Sequence, residues 1–354
     1  MEVCDIRYGA VQVLDRSLAE DIVSAGGTVL LRSGTILHAR HLELLLKHGI
    51  NQVRVEGWSP MSDQLEWKFH EEAPLFSTHY QTVFSSLETL FEEVGRGETP
   101  DAEETVKSFD TLVQDALSHQ RVYLVLQQIR GHDMYTYRHS IHVGLWCALI
   151  ARINGYNEED VLEFGRAGLL HDIGKLRIPK HIIQKKGSLT DEEFAEIKRH
   201  PEYGVELLEP KGYSSLILDG TLLHHERLDG SGYPFGRKAK DLPPAARITG
   251  VADVYDAVSS DRPYQQRRSP LSALQLIADE LYSGRLCGVF GYPFVSHMLK
   301  AYVGADVLLS DGRTGHILRI PMEAIESPVI LSGTTIINLK DEADLRILDI
   351  VEKQ

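Results

Sequence analysis

The chain has 354 residues, 43% hydrophobic and 25% charged, proportions of a folded protein long enough for about two or three domains. Fifty-one acidic against 37 basic residues give a formal charge of -14, which argues against a broad nucleic-acid-binding surface. An anionic substrate therefore needs locally concentrated positive charge. Cys4, Cys147 and Cys287 form no close pair, which argues against a disulfide framework or a thiolate zinc site. No apolar run reaches the roughly 18 residues of a membrane span, and MEVCDIRYGA has no basic-then-apolar leader, so a cytoplasmic protein is expected.

Residues 1–60 alternate short apolar stretches with glycine-rich turns, as in AGGTVLLRSGTIL and NQVRVEG, around a short helix crowded by Leu42, Leu44, Leu45 and Leu46 that Gly49 can end. This is a small α+β module. Residues 61–119 open within WSPMSDQLEWKFHEEAPLFSTH (residues 58–79), a linker without sustained period. Two amphipathic helices follow, one marked by Val83, Phe84, Leu87, Leu90, Phe91 and Val94, the other by Val106, Phe109, Leu112, Val113 and Ala116. They can dock within the chain or pair in a homodimer. Residues 120–300 are helical: Ile141, Leu145, Leu149 and Ile153 share one face, and Val161 to Leu170 form a helix ending near His171. Thr190 with Glu193 sets a capping box for a helix carrying Phe194, Ile197 and His200, and AARITGVADVYDAV suits close helix packing. Residues 301–354 return to short strands and polar turns, a small β-rich module. The expected fold is multidomain, an all-α catalytic domain between these two modules.

Sixteen histidines are present, two of them adjacent at His224 and His225, and His171 directly precedes Asp172. Imidazole suits Fe, Mn, Co, Ni and Zn, and an aspartate can bridge two cations and offset their repulsion. His139, His171, Asp172 and Asp253 can supply one ion, with Asp172 bridging to a second held by His200, His224 and His225. The separations are too long for a local loop, so the site has to assemble in the tertiary fold. His142 packs or hydrogen-bonds locally and is left out of the set.

The segments YTYRHS, LLHDIGKLRIP, IKRHPEYG, LLHHERLDGSGYP and ITGVADVYDAVSSDRPY, in this order, resemble the HD-GYP family, a branch of the HD phosphohydrolases. The N-terminal stretch is similar to a small domain found before such domains. The resemblance implies an all-helical domain enclosing a transition-metal site and hydrolysis of cyclic di-GMP to linear pGpG. It assigns metal roles to His139, His171, Asp172, His200, His224, His225 and Asp253, and a catalytic phosphate contact to Lys175. Two divalent ions, iron or manganese, are expected. Where some family members have a glutamate that helps a third ion bind, this chain has Tyr135, which disfavours that ion and makes pGpG the main product.

Arg262 in DRPY is the best arginine for a phosphate or guanine edge. Gln265 stands where relatives often carry another basic residue, and Asp256 has no inner role because the motif assigns the metal contact to Asp253. Tyr233 either packs its loop or contacts a base, and in the family this segment also recognises signalling partners. Gly230, Gly232 and Pro234 shape the loop. Glu226 orients a ligand histidine or faces solvent, and Asp229 caps the loop or acts in function. Two other functions compete: a non-catalytic cyclic-dinucleotide receptor or scaffold, and an HD hydrolase of another nucleotide.

Overall fold

The computed structural model describes residues 2–6, 17–24, 26–35, 37, 39–55, 74–96, 102–118, 135–183, 185, 187–259, 270–342 and 344–351. The chain divides into two compact units, Met1–Asp63 with Ser269–Gln275 and Met298–Gln354, and Gln64–Arg268 with Leu276–His297.

In the first unit, β1 (Glu2–Asp5), β2 (Ile22–Val23), β3 (Val29–Leu31), α1 (Ala39–Lys47) and β4 (Gln52–Val55) make the N-terminal α+β module. β1 pairs antiparallel with β4, and β2 with β3. α1 stops before Gly49, which takes a left-handed φ of 72° where a side chain would be strained.

The second unit is helical. It contains α2 (Pro74–Gly95), α3 (Glu103–Ser118), α4 (Tyr135–Ile153), α5 (Glu158–Leu170), a 3-10 turn (Ile173–Arg177), α6 (Lys180–Ile183), α7 (Asp191–Ile197), α8 (His200–Leu208), α9 (Ser215–Leu223) and α10 (Pro244–Ser259). Two further helices follow, α11 (Pro270–Tyr282) and α12 (Gly288–Tyr302). The β-rich module closes the chain: β5 (Asp306–Leu309), β6 (Thr314–Arg319), β7 (Val329–Ser332), β8 (Thr335–Asn338) and β9 (Ile347–Val351) form an antiparallel sheet in the order β8-β7-β6-β5-β9. Val307 stands opposite both Gly315 and Ile350, and Ile317 opposite Ile330. Leu308 and Leu348 of this sheet pack into the same apolar core as Ile6, Leu18, Leu42, Leu45 and Val53.

α4 is the central helix, buried almost without interruption from Arg138 to Ala151, so its polar residues must find partners inside the protein. α2 and α3 pack on each other and on α4 of the same chain. That contact accounts for their apolar spacing: Tyr80, Val83, Leu87, Phe109, Leu112 and Val113 are fully buried, and Phe84 and Phe91 meet the Tyr137 ring edge-on at 5.6 and 4.9 Å. Arg166 of α5 adds a bidentate pair to Asp110 of α3, at 2.6 and 2.9 Å.

Two expectations change. Pro74–His79, read as linker, is the first part of α2; the preceding residues 56–73 lie outside the described ones. His200 does not ride on the helix capped by Thr190. That helix ends at Ile197 and a new one, α8, starts at His200 with Pro201 in its first turn, where the missing N–H of proline costs nothing. The capping box itself is present, Glu193 N–H donating to Thr190 Oγ1 at 3.2 Å and Thr190 N–H to Glu193 Oε2 at 2.7 Å. No helix among the described residues is long and apolar enough to cross a membrane.

Candidate metal centre

Helix ends and helix interiors deliver the polar residues to one point. His139 comes from the first turns of α4, His171 and Asp172 from the end of α5, His200 from the start of α8, His224 and His225 from the end of α9, and Asp253 from the middle of α10. Gly174 makes the crossing between the 3-10 turn and α8 close enough: a Cβ there would lie 2.0 Å from the His200 carbonyl oxygen. No residue with a side chain fits at that position.

Two groups of ligand atoms result, each with its atoms within 4.8 Å of one another: His139, His171 and Asp253, and Asp172, His200, His224 and His225. Both aspartates face both groups. Asp172 Oδ2 lies 3.4 Å from His171 Nε2 and 3.7 Å from His139 Nε2, while its Oδ1 lies 3.3 Å from His200 Nε2 and 3.8 Å from His224 Nε2. Asp253 turns Oδ1 to His139 Nε2 at 3.2 Å and Oδ2 to His225 Nδ1 at 3.7 Å.

The outward hydrogen bonds settle which ring nitrogens offer lone pairs. His171 Nδ1 donates to the Gly168 carbonyl at 2.7 Å, His200 Nδ1 to Ile197 at 2.7 Å, and His224 Nδ1 to Thr221 at 2.9 Å. A carbonyl only accepts, so each Nδ1 carries a proton, and in the neutral ring each Nε2 presents its lone pair inward. With both rings neutral, the Nε2 lone pairs of His200 and His224 face each other at 3.3 Å. His171 Nε2 and Asp172 Oδ1 are buried without a hydrogen-bond partner, each a cost of roughly 1–3 kcal/mol in a native protein. Cations at the two groups would satisfy these atoms and remove the repulsion between the facing lone pairs. The donor set, imidazole with carboxylate, suits a divalent transition metal.

Electrostatics hold the ligands in their binding forms. Burial opposes charge on Asp172, yet His171, Lys175 and His200 keep its carboxyl well below the usual range. Asp253 is likewise held down against burial, by His139 and His225. Burial first, then the neighbouring histidines, drives His224 well below an ordinary imidazole, and burial brings His225 down to about 3. Deprotonated carboxylates and neutral imidazoles are the forms that bind metal.

Around this core, Lys175 Nζ donates to Asp172 Oδ2 at 2.5 Å with 30% of its side chain exposed, so one cation lies on the solvent edge of the cluster. Tyr233 stacks on His225 at 4.5 Å between ring centroids, its phenol pushed up by burial and by Asp172 and Asp253. The loop beneath it is shaped by Gly232, where a Cβ would lie 2.4 Å from the His225 carbonyl oxygen, by Gly230 with a φ of 85°, and by the cis Tyr233–Pro234 bond. Glu226 is buried and accepts from the N–H groups of Phe235 at 2.8 Å and Arg237 at 2.9 Å, so it clamps the loop and neither orients a ligand histidine nor faces solvent. Exposed Asp229 accepts from Ser231 N and Oγ, a turn cap. Arg262 and Gln265 lie outside the described residues, as does the side chain of Tyr135, whose backbone opens α4.

Sequence reasoning missed the support behind His139. Asp256 Oδ2 accepts from His139 Nδ1 at 2.7 Å, and Asp256 Oδ1 accepts from His142 Nδ1 at 3.2 Å and Trp146 Nε1 at 3.4 Å. The His139/His142 and Asp253/Asp256 spacings, three residues on one helix face, were signals for two of these partners.

Residues 113–285 match the HD domain family. The chain is 36% identical over 263 residues to cyclic di-GMP phosphodiesterase PA4108 of Pseudomonas aeruginosa, covering 74% of this chain and 62% of the relative. It is 35% identical over 150 residues to 3'3'-cGAMP-specific phosphodiesterase 2 of Vibrio cholerae, covering 42% of this chain and 29% of the relative. The fold is similar to that of Bd1817, an HDG"Y"P protein from Bdellovibrio bacteriovorus, with a TM-score of 0.52 over 85% of this chain and 98% of that one, at 15% identity. The helical part of the chain thus carries a match to the HD domain, and the chain spans less than two thirds of the length of the curated relatives it matches. Over that part it is similar to cyclic-dinucleotide phosphodiesterases of the HD type.

Proposed function

We propose that the chain is a metal-dependent phosphodiesterase that opens cyclic di-GMP, mainly to linear 5'-pGpG. The observation that carries this reading is the placement of Asp172, whose two oxygens face separate nitrogen groups at 3.3–3.8 Å. Such a carboxylate suits a bridge between two divalent ions, His139, His171 and Asp253 holding one and His200, His224 and His225 the other. Iron or manganese fits the donors. Bound there, such ions would supply Lewis acidity toward a phosphodiester and a lowered pKa for water.

The residues of the chain do the rest. Lys175, on the exposed edge beside Asp172, meets the phosphoryl oxygens as their charge grows. Tyr233 covers His225 and offers a ring face to a base; the loop it belongs to also suits recognition of a signalling partner. Arg262 holds a phosphate or guanine edge. Tyr135 brings no carboxylate to α4, which supports two ions over three and pGpG over GMP.

Similarity to a 3'3'-cGAMP-specific enzyme supports a second substrate, the mixed cyclic dinucleotide. The test is product separation after the anaerobically prepared, iron- or manganese-loaded chain meets cyclic di-GMP, 3'3'-cGAMP and pGpG in turn. Accumulating pGpG from cyclic di-GMP is expected. Faster cleavage of 3'3'-cGAMP would reassign the substrate, and tight binding without turnover would make the chain a receptor.

A further inference from the structure

The outer partners of His139 continue past Asp256 into a helix that precedes the matched HD stretch. Tyr80, on α2, places its hydroxyl 3.0 Å from His142 Nε2. The chain of contacts then runs His142 Nδ1 to Asp256 Oδ1 at 3.2 Å and Asp256 Oδ2 to His139 Nδ1 at 2.7 Å, ending with His139 Nε2 at the metal-binding atoms. Tyr80, His142, Asp256 and His139 are all buried.

An ionised Asp256 can only accept, so both His139 Nδ1 and His142 Nδ1 donate to it. In the neutral ring His142 Nε2 then holds the lone pair, and among the described residues the Tyr80 hydroxyl is its donor across the 3.0 Å contact. Without that donor, the buried His142 nitrogen loses its partner and the imidazole loses the bond that fixes its ring plane against Asp256. Aromatic rings pack behind the carboxylate on the other side: Trp146 meets Tyr255 at 5.2 Å and Phe294 at 6.1 Å, and Tyr255 meets Phe294 at 5.0 Å. Burial holds the Tyr80 phenol far above its ordinary pKa, so it stays a donor throughout the neutral range.

We propose that Tyr80 is a positioning residue for the metal ligand His139, acting through His142 and Asp256, so that α2, outside the matched HD stretch, tunes how firmly the first ion is held. The proposal rests on the reading of His139 as a ligand. Groups one shell beyond the ligands change metal affinity by about 10–100-fold, and Tyr80 stands two partners further out than Asp256.

Tyr80→Phe keeps the ring and removes only the hydroxyl. Titration of the metal-free full chain with Mn2+ by calorimetry, and Co2+ absorption as a signature of ligand geometry, would compare wild type, Y80F, D256N and the double variant. Y80F should weaken one of the two Mn2+ events by up to about 10-fold, no more than the low end for groups that touch a ligand directly, leave the other unchanged and shift the Co2+ bands. In the D256N background Y80F should add nothing, because the path is already cut. His142→Asn, whose amide stands in for the Nδ1–H but offers nothing to Tyr80, serves as the background if D256N fails to fold, and should be equally insensitive. Unchanged Mn2+ affinity and Co2+ bands in folded Y80F would overturn the proposal, as would a full Y80F effect in either background. A wild-type chain that takes up no Mn2+ would instead overturn the metal reading and the proposal with it, an outcome told apart by the wild-type titration alone.

Discussion

His139 and His200 stand on opposite sides of Asp172, and their outer nitrogens are held by different means. His139 Nδ1 donates to a carboxylate, Asp256, itself held by His142 and Trp146. His200 and His224 donate to the carbonyls of Ile197 and Thr221, three residues back on their own helix or turn. A carboxylate partner raises the basicity of the imidazole and depends on tertiary packing; a carbonyl partner fixes orientation and comes with the local backbone. The half built around His139 is therefore the adjustable one, and the half built around His200 is set by helix geometry.

The largest effect should come where the halves meet. Asp172→Ala removes the carboxylate that, among the described residues, faces His139, His171, His200 and His224 together, and hydrolysis of cyclic di-GMP should fall to background with both ions weakened. Retained turnover in the folded variant would separate the two halves altogether. Lys175→Ala should lower kcat by on the order of 10²-fold, the cost of one lost electrostatic contact to a transition state, while metal analysis shows content unchanged. Parallel loss of metal would move Lys175 into the support of Asp172.

A smaller change should divide the halves. Asp256→Asn is expected to weaken one ion by about 10–100-fold and leave the other as it was, measured by competition with a chelator. Equal weakening of both would mean that the carboxylate supports the whole cluster. Smaller still is a pH effect confined to the His200 half. His225 is held down to about 3 from an ordinary 6.5, so between these values the unfolded chain binds a proton that the folded chain refuses. Stability of the metal-free protein should therefore be unaffected by this group above about pH 6.5 and fall as pH drops toward about 3, by up to about 1.4 kcal/mol per pH unit. Urea denaturation of wild type and His225→Gln across that window checks it: the variant should lose part of the slope.

Much of the centre was legible because its ligands sit in short motifs whose residue types carry chemistry on their own, as His171–Asp172 and His224–His225 do. Their supports were not, since Asp256, Trp146 and Tyr80 are ordinary helix residues until the fold brings them behind His139. The position of His200 illustrates a local limit: apolar periodicity ran through Ile197, and only the proline at 201 marked a new helix. The N-terminal and C-terminal modules read separately as α+β and β-rich, but local pattern carried no sign that Leu308 and Leu348 pack with Ile6, Leu42 and Val53. Core membership of that kind is a property of distant segments, as is the strand partner of β9.

The most direct test of the account is a count of metal. The anaerobically purified chain, dialysed against saturating Mn2+ and then free of excess, should hold two ions per chain by mass spectrometry, His224→Ala should keep one, and cyclic di-GMP hydrolysis should follow the second ion. A folded wild-type chain that holds no ion, or that hydrolyses cyclic di-GMP at full rate after the ions are stripped, would contradict it.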